Sequence, residues 1–223
     1  MPGTLFVVGT PIGNLEDLTI RARRILGEVG LIACEDTRTT RKLVDHYGIT
    51  TKLVSLHHHS TERDIDGVLA YVAEGDVAIV TDAGMPGIAD PGGKVVARAA
   101  ALGLKVESVP GPAALTTAVA LSGLPTDRFL FLGFLPHKKG RETLFRRIAA
   151  TEETVILYES PHRLLKTLES LVKLTNSRQV VVARELTKVH ESVIRGTALH
   201  VLKHFQDHLD QAKGEIVLVI GPR

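Results

Sequence analysis

Short apolar segments alternate with helical segments through the first half of this 223-residue chain, and this alternation restricts the fold more than any other feature. Apolar residues at helical spacing occupy four intervals, at 20–29, 39–47, 61–73 and 95–102. Between them, strands are predicted at 4–9, 31–35, 52–56, 77–80 and 105–109. Because helical crossovers connect parallel strands, the pattern predicts an α/β domain with a mainly parallel sheet.

The second half of the chain contains the same kinds of element in a less regular order. Strands are predicted at 129–134, 154–158, 179–184, 192–195 and 215–220. Helices are predicted at 141–149, 163–174 and 198–209. Since the third and fourth of these strands are close in sequence, we expect them to pair antiparallel within a mixed sheet. The Pro-Gly-Pro sequence at 110–112 interrupts the pattern, so we expect α/β domains over 1–112 and 113–223 with a cleft between them.

Composition excludes several classes of protein. No apolar run is long enough to cross a bilayer, and the start of the sequence lacks the basic region of a signal peptide. Cys34 is the only cysteine, which excludes an intrachain disulfide and favours a reducing compartment. We therefore expect a cytoplasmic protein with no membrane partner. A formal net charge of +2 permits a nucleic-acid partner without requiring one.

The densest cluster of loop-forming residues follows the predicted strand 77–80. Residues 82–93 contain two Asp, two Pro and four Gly, and a helical pattern then resumes. Such a loop allows close backbone approach and lies where open α/β sheets receive ligands. The earlier loop 9–15 has neither G-x-G-x-x-G nor a P-loop ending, and Pro11 lacks an amide donor. We therefore expect a ligand that is not held by its phosphates.

Charged residues follow the second predicted strand in a pattern that favours a polar site. Glu35, Asp36 and Arg38 stand where that strand ends. Arg41 and Lys42 follow at helical spacing and share a face with the arginine. A helix N-cap with a solvated basic face is the alternative. Two acids beside an arginine exceed what a cap requires, so the functional interpretation is favoured.

Two charged clusters occur in the second half, at 158–163 and at 184–191. In the first, Glu159, His162 and Arg163 are expected to face the cleft, and Lys188 belongs to the second. Plain surface ion pairs are the alternative for both clusters.

Three consecutive histidines, His57, His58 and His59, invite a metal-binding interpretation. Neighbouring residues of an extended segment point to opposite sides, so three in a row do not converge on one ion. We predict no metal site.

Eight segments, taken together and in order, resemble one known family over almost the whole chain. They are 9–15 with Asp17 and Thr19, 35–38, 82–92, 110–113, 122–129 with 133–136, 158–163, 184–188 and 213–215. In this combination they resemble the RsmI family of 16S rRNA (cytidine-2′-O)-methyltransferases, which has the tetrapyrrole-methylase fold. The chain departs from the family pattern in two places. The family often has His-x-His-Asn-Glu where this chain has His-His-His-Ser-Thr at 57–61, and many members continue past the final strand.

The resemblance implies a two-domain tetrapyrrole-methylase-like fold, S-adenosylmethionine as methyl donor and a homodimer. It implies methylation of a cytidine ribose in the decoding region of 16S rRNA, with the small ribosomal subunit as partner. The cofactor contacts that it implies are Pro11, Asp82, Ala83, Gly84, Pro86, Gly87, Ile88, Ala89, Asp90, Thr116, Thr117, Tyr158, Glu159 and Ala183.

For the chemistry, we hypothesise that Glu35 or Asp36 orients or deprotonates the ribose hydroxyl while Arg38 holds a phosphate. The residues expected to bind the RNA substrate are Arg41, Lys42, His162, Arg163 and Lys188. One alternative is a tetrapyrrole methyltransferase of the same fold, although loop 9–15 does not match the first loop of those enzymes. Another is a non-catalytic module that binds S-adenosylmethionine or RNA.

Overall fold

Parallel strands form the sheet of the first half of the chain, as the alternation predicts. The computed structural model describes residues 3–175 and 177–223, and the chain divides into unit 1, Met1–Ala113, and unit 2, Ala114–Arg223. In unit 1 the strands are β1 (Thr4–Val8), β2 (Leu31–Cys34), β3 (Leu53–Ser55), β4 (Val77–Val80) and β5 (Lys105–Val109). Their order is β3-β2-β4-β1-β5, and all neighbours are parallel.

Four helices connect the strands of unit 1. They are α1 (Ile20–Glu28), α2 (Thr37–His46), α3 (Glu62–Val72) and α4 (Gly92–Ala101). Thr19 and Asp36 cap the first two by accepting hydrogen bonds from backbone N–H groups, and Thr61 forms a reciprocal capping box with Asp64. Every residue of β2 and β4 is buried, because helices cover both faces of a parallel sheet.

A mixed sheet forms the centre of unit 2. Its strands are β6 (Phe129–Phe134), β7 (Thr154–Glu159), β8 (Gln179–Arg184), β9 (Ser192–Thr197) and β10 (Ile216–Ile220). The order is β6-β7-β10-β8-β9, in which only β6 and β7 are parallel. The predicted antiparallel pair β8–β9 and the predicted mixed sheet are confirmed.

Helices lie on both faces of this second sheet. They are α5 (Ala114–Ser122), α6 (Arg141–Ala150), α7 (Leu164–Leu174) and α8 (Ala198–Asp207). The main core of unit 2 joins α6, α7 and α8 to alternate residues of the strands, among them Leu157, Val182 and Leu218. The other alternate residues face α5, which contacts β7, β8, β9 and β10.

The sequence pattern missed α5. Its residues, Ala-Leu-Thr-Thr-Ala-Val-Ala-Leu-Ser, contain no charged residue and therefore no polar stripe that would reveal a helical period. The structure also starts α2 two residues before the predicted start and α4 three residues before, because Asp36 and the Gly-Gly pair at 92–93 begin the helices earlier than the apolar pattern does. None of the helices in the described part of the chain combines the length and apolar character needed to cross a bilayer.

Candidate active site

The carboxyl ends of β2 and β4, which are neighbours in the sheet of unit 1, bring three acidic side chains together. Glu35 and Asp36 follow β2, and Asp82 follows β4. The backbone N–H of Asp36 donates to Oδ1 of Asp82 over 3.0 Å, which joins the two strand ends. Desolvation and the negative charge of Glu35 raise the pKa of Asp82, against the lowering effect of that hydrogen bond. The cluster predicted for this edge is therefore present.

Asp36 is the N-cap of α2 and also the partner of Arg38. Its Oδ1 accepts from the backbone N–H of Arg38 over 2.8 Å, and its Oδ2 lies 2.7 Å from an Nη of the same arginine. These hydrogen bonds lower the pKa of Asp36 to about 2. The arginine side chain is 88% exposed. The helix-cap alternative is therefore confirmed for Asp36, which also fixes the direction of an exposed guanidinium group, and the functional interpretation stays a prediction.

Glu35 has two neighbours that the sequence did not identify. The hydroxyl of Thr81 donates to Oε2 of Glu35 over 2.9 Å, and Nε2 of His58 lies 3.8 Å from its Oε1. Thr81 is buried and immediately follows β4. The rule that polar residues at strand ends converge would have identified this threonine. The carboxylate of Glu35 stays partly open, with 26% of the side chain exposed.

The loop after β4 is organised by the carboxylate of Asp90. This carboxylate accepts hydrogen bonds from the backbone N–H groups of Gly87 at 2.9 Å, Ile88 at 3.1 Å and Gly92 at 2.7 Å. Gly87 and Ala89 have φ of 91° and 64° in the left-handed region. Asp90 is a predicted cofactor contact, and in the structure its carboxylate binds the backbone of its own loop.

The loop after β1 is fastened to the loop after β4. Thr10 and Gly84 exchange two backbone hydrogen bonds of 2.9 and 3.1 Å. Gly9 lies against the backbone of Gly111, where an added Cβ would come within 2.7 Å of the neighbouring Cα. Pro11, the predicted cofactor contact in this loop, is buried. The other predicted contacts in unit 1 are exposed at Asp82, Ala83, Gly87, Ile88 and Ala89, and buried at Gly84 and Pro86.

The first turns of α2 carry the basic face that the sequence predicts. Arg38, Arg41 and Lys42 all lie on this helix and are exposed. Since the helix starts at the strand end that carries Glu35, the acids and the cations belong to one polar edge of unit 1.

In unit 2 two of the predicted cofactor residues, Tyr158 and Ala183, lie on one face of the sheet. Tyr158 of β7 and Ala183 of β8 both pair with Val217 of the intervening strand β10, so the three residues form a row. Opposite residues of neighbouring strands point to the same side. Helix α5, which carries Thr116 and Thr117, packs on the sheet face that includes this row. Thr116 is exposed, Thr117 and Tyr158 are half-buried, and Ala183 is buried.

Glu159 lies on the opposite face from Tyr158, because neighbouring residues of a strand alternate. Its side chain has no exposed surface. Oε1 lies 2.7 Å from Nε of Arg163, and Oε2 accepts from the hydroxyl of Thr167 over 2.6 Å and lies 3.8 Å from Arg141. The resemblance names Glu159 as a cofactor contact, and this contact stays a prediction. In the structure the carboxylate binds side chains of the helical layer.

Arg163 has the same structural role. Besides Glu159, it donates to the hydroxyl of Ser160 over 3.1 Å and to the carbonyl oxygen of Leu135 over 2.7 Å, and only 16% of its side chain is exposed. Arg163 is predicted to bind an RNA phosphate, and in the structure its guanidinium group binds Glu159, Ser160 and Leu135. His162, beside it in a single 3₁₀ turn, is exposed.

The loop after β8 combines ion pairs with backbone strain. Lys188 lies 3.0 Å from Glu185 and 3.3 Å from Glu215, and despite desolvation these acids raise its pKa. Glu185 and Thr187 have φ of 51° and 67°, which is rare for residues other than glycine. The hydroxyl of Thr187 is buried and has no hydrogen-bond partner among the described residues. Strain beside an unsatisfied polar atom is typical of a functional site.

The three consecutive histidines at 57–59 are exposed, in the segment after β3. Within residues 3–175 and 177–223, no group of three or more His, Cys, Asp or Glu side chains is arranged to hold a metal ion.

The chain is similar to a known family of methylases and to named ribosomal RNA methyltransferases. A family model described as Tetrapyrrole (Corrin/Porphyrin) Methylases matches residues 4–201. A protein named ribosomal RNA small subunit methyltransferase I from Thermotoga maritima is 44% identical over 98% of this chain and 98% of its own length. Proteins of the same name from Synechocystis and Escherichia coli O157:H7 are 47% and 45% identical. Both matches include 98% of this chain, and they include 79% and 77% of the two relatives.

Solved structures share the fold at lower identity. A cobalt precorrin-4 methyltransferase of cobalamin biosynthesis superimposes with a TM-score of 0.67 at 16% identity, covering 98% of this chain and 94% of that one. Uroporphyrin-III-C-methyltransferase from Thermus thermophilus superimposes with a TM-score of 0.65 at 20% identity, with the same coverage. At these identities the likeness concerns the fold alone.

Proposed function

The chain belongs to the ribosomal RNA small subunit methyltransferase I family, and we propose that it transfers a methyl group from S-adenosylmethionine to small-subunit ribosomal RNA. The acceptor that we propose is the ribose 2′-oxygen of a cytidine in the decoding region. The observation that carries this proposal is the identity of 42–47% over nearly the whole chain to proteins of that name from eight organisms.

The residues present fit the methyl donor. The buried hydroxyl of Thr187 lacks a partner within the described residues, and a polar ligand atom would satisfy it. The loop after β4 presents exposed backbone and small side chains at the carboxyl edge of a parallel sheet, where α/β folds bind ligands. When bound, S-adenosylmethionine supplies an electrophilic methyl group on a sulfonium sulfur.

The proposed cofactor contacts differ in what their side chains can offer. In unit 1, Asp82 and the exposed residues 83 and 87–89 have free surface, whereas Asp90 shapes the loop from within. In unit 2, the row of Tyr158 and Ala183 and the helix α5 supply the proposed contacts. We propose that Glu159 holds the end of β7 in place rather than contacting the cofactor.

Among the acids of unit 1, Glu35 is the best candidate for the group that orients or deprotonates the ribose hydroxyl. Asp36 is a weak base, since its pKa is held at about 2. The side chain of Glu35 is 26% exposed, and Thr81 fixes its Oε2 through a 2.9 Å hydrogen bond. Asp82, whose pKa is raised, is the second candidate.

Phosphate binding is assigned to the basic face of α2. Asp36 holds the guanidinium of Arg38 in one direction, and Arg41 and Lys42 lie on the same exposed face. Cations so arranged contact phosphates and position the RNA without reading its sequence. Lys188 and His162 remain proposed RNA contacts, whereas Arg163 is proposed to stabilise the fold.

We also propose that the protein is a homodimer and acts in the cytoplasm on an assembled or partly assembled small subunit. Light scattering at several protein concentrations tests the oligomeric state. Methylation of free 16S rRNA and of whole subunits, assayed in parallel, tests the form of the substrate.

One experiment tests the proposed function directly. Small subunits from cells that lack the gene are incubated with the protein and S-adenosylmethionine, and 2′-O-methylation is mapped along 16S rRNA. We expect one new 2′-O-methylated cytidine in the decoding region. Methylation of a tetrapyrrole precursor instead, or cofactor binding without transfer to any ribosomal substrate, would overturn the proposal.

A further inference from the structure

An exposed aromatic ring ends the edge strand of unit 2. Phe134 is the last residue of β6 and is 57% exposed, more than any other Phe or Tyr in the described residues. It lies 5.4 Å from the ring of Tyr158, centroid to centroid. A single exposed ring is ordinary on a protein surface, so the direction of this ring and its neighbours decide whether it can serve a ligand.

A β-bulge sets the direction of this ring. Phe131 pairs with Ile156 and Phe134 pairs with Tyr158, so three steps on β6 match two steps on β7. In a regular strand, residues three apart point to opposite faces. The extra residue, with Gly133 at φ 60°, turns Phe134 so that its ring and that of Phe131 both contact Tyr158. Bulges of this kind re-aim side chains beside active sites.

The segment that follows the ring is anchored and basic. The carbonyl oxygen of Leu135 accepts a hydrogen bond from Arg163 over 2.7 Å, and the side chain of Leu135 is buried. Lys138 and Lys139 come next and are exposed. Within residues 3–175 and 177–223 neither lysine forms an ion pair, whereas the nearby Glu142 pairs with Arg146 over 2.7 Å. Two uncompensated cations therefore stand within five residues of an outward ring.

We propose that Phe134, Lys138 and Lys139 bind single-stranded RNA, with one base stacked on the ring and adjacent phosphates contacted by the two lysines. This inference rests on the proposed function, since it names a contact surface for the same substrate. Single-stranded nucleic acid is bound by this combination of an aromatic platform and flanking cations. Because Tyr158 is a proposed cofactor contact, a base stacked on the neighbouring ring lies beside the methyl donor.

Charge favours RNA over a second copy of the chain as the occupant. Residues 137–140 contain the two exposed lysines and no acid, and two copies of this segment would repel one another if they met. An RNA strand supplies both the negative charge for the lysines and flat rings for the phenylalanine.

The chain offers a matched control on the same strand. Phe129, the first residue of β6, is 43% exposed and lies roughly 16 Å from Phe134, at about 3.3 Å per residue. It lies at the other end of the strand from Tyr158 and the lysines. The test compares Phe134→Ala, Phe134→Tyr and Phe129→Ala in equilibrium binding of a fluorescent single-stranded RNA with the decoding-region sequence.

We expect Phe134→Ala to weaken RNA binding about tenfold, because stacking on an aromatic ring accounts for that much per base. Phe134→Tyr should restore the affinity and Phe129→Ala should leave it unchanged. Replacement of Lys138 and Lys139 by Gln should reduce the slope of log affinity against log salt by about 1.4, or about 0.7 for each lost phosphate contact. Affinity for S-adenosylmethionine, measured by calorimetry, should not change in any of these variants.

Three results of the binding experiments would overturn the inference. They are equal effects of Phe134→Ala and Phe129→Ala, loss of cofactor affinity with RNA affinity intact, and dissociation of a dimer by Phe134→Ala with RNA affinity intact. The proposed function fails separately, if the unmodified protein binds RNA through Phe134 but methylates no cytidine of 16S rRNA. Normal methylation by Phe134→Ala at subsaturating subunit concentration would leave the proposed function standing and remove this inference.

Discussion

The carboxylate of Asp36 in unit 1 and that of Glu159 in unit 2 each face an arginine close in sequence, but one pair is open to solvent and the other is buried. Arg38 is 88% exposed, whereas Arg163 is 16% exposed and Glu159 has no exposed surface. A solvated pair contributes little to stability and keeps donors for a ligand. In the buried pair, Nε and Nη1 of Arg163 already bind protein acceptors, and loss of the carboxylate leaves an uncompensated charge. Burial therefore decides which pair has donors available to a ligand and which supports the fold.

The strongest test of this comparison is Glu159→Ala. Removal of this carboxylate leaves Arg163 and Arg141 buried without their acid, and breaking a buried pair costs about 3–5 kcal/mol. We expect the free energy of unfolding to fall by that amount and Tm to fall by roughly 10 °C. Asp36→Ala is the control, measured by the same thermal denaturation. An equal loss of Tm in both variants would show that the two pairs are equivalent.

Glu35→Gln should affect catalysis without affecting the fold. If this carboxylate orients or deprotonates the ribose hydroxyl, kcat/KM for methyl transfer should fall about 10²- to 10³-fold. Tm and the affinity for S-adenosylmethionine should stay unchanged. Thr81→Val, which removes the hydrogen bond to Glu35, should lower kcat by a smaller factor. Normal turnover of Glu35→Gln would transfer the role to Asp82.

Arg38 and Arg163 should differ in their contribution to RNA binding. Arg38→Ala should weaken RNA binding and reduce the slope of log affinity against log salt by about 0.7, the value for one phosphate contact on a single strand. Arg163→Ala should lower Tm and leave that slope unchanged, because its guanidinium binds Glu159 and Leu135. A reduced slope for Arg163→Ala would contradict its structural assignment. Arg38→Lys keeps the charge and serves as the control.

The smallest expected effect concerns pH. The pKa of Asp36 is lowered from 3.8 to about 2, so its folded-state pKa lies below its unfolded-state value. Its contribution to stability is therefore complete above pH 3.8 and is lost as the pH falls towards 2. NMR titration of the carboxyl carbon should show a midpoint near 2 in the unmodified protein and a return towards 3.8 in Arg38→Ala. A midpoint near 3.8 in the unmodified protein would contradict the Asp36–Arg38 pairing.

Much of the fold could be predicted from local patterns. The alternation in the first half gave the parallel sheet, because strands separated by crossover helices have few other ways to pair. The exposed basic face of α2 also followed from spacing alone. Helix α5 could not be predicted, since an uncharged helix shows no polar stripe, and its role is clear only from the sheet face that it covers.

For the site, the ends of the predicted strands indicated where polar residues lie but not which partners their side chains bind. Glu35, Asp36 and Asp82 converge because neighbouring parallel strands end at one edge. Thr81 and His58 were missed, although the same rule applies to the threonine. Tyr158 and Glu159 are both predicted cofactor contacts. They are consecutive residues of a strand, so their side chains point to opposite faces, which the sequence motif alone does not reveal.

By itself, the sequence determined the two α/β units, the polar edge of the first sheet and, through motifs spread along the chain, the family. These depend on periodicity and on the order of residues, which the chain carries locally. Only the tertiary structure decided which acid is open and which is buried, and which ring is turned outward by a bulge. Those properties depend on partners such as Thr81 for Glu35 and Arg141 for Glu159, which are remote in sequence. Burial and the number of hydrogen bonds that a group makes depend on how the folded chain packs. They distinguish residues that have the same type and a similar sequence context.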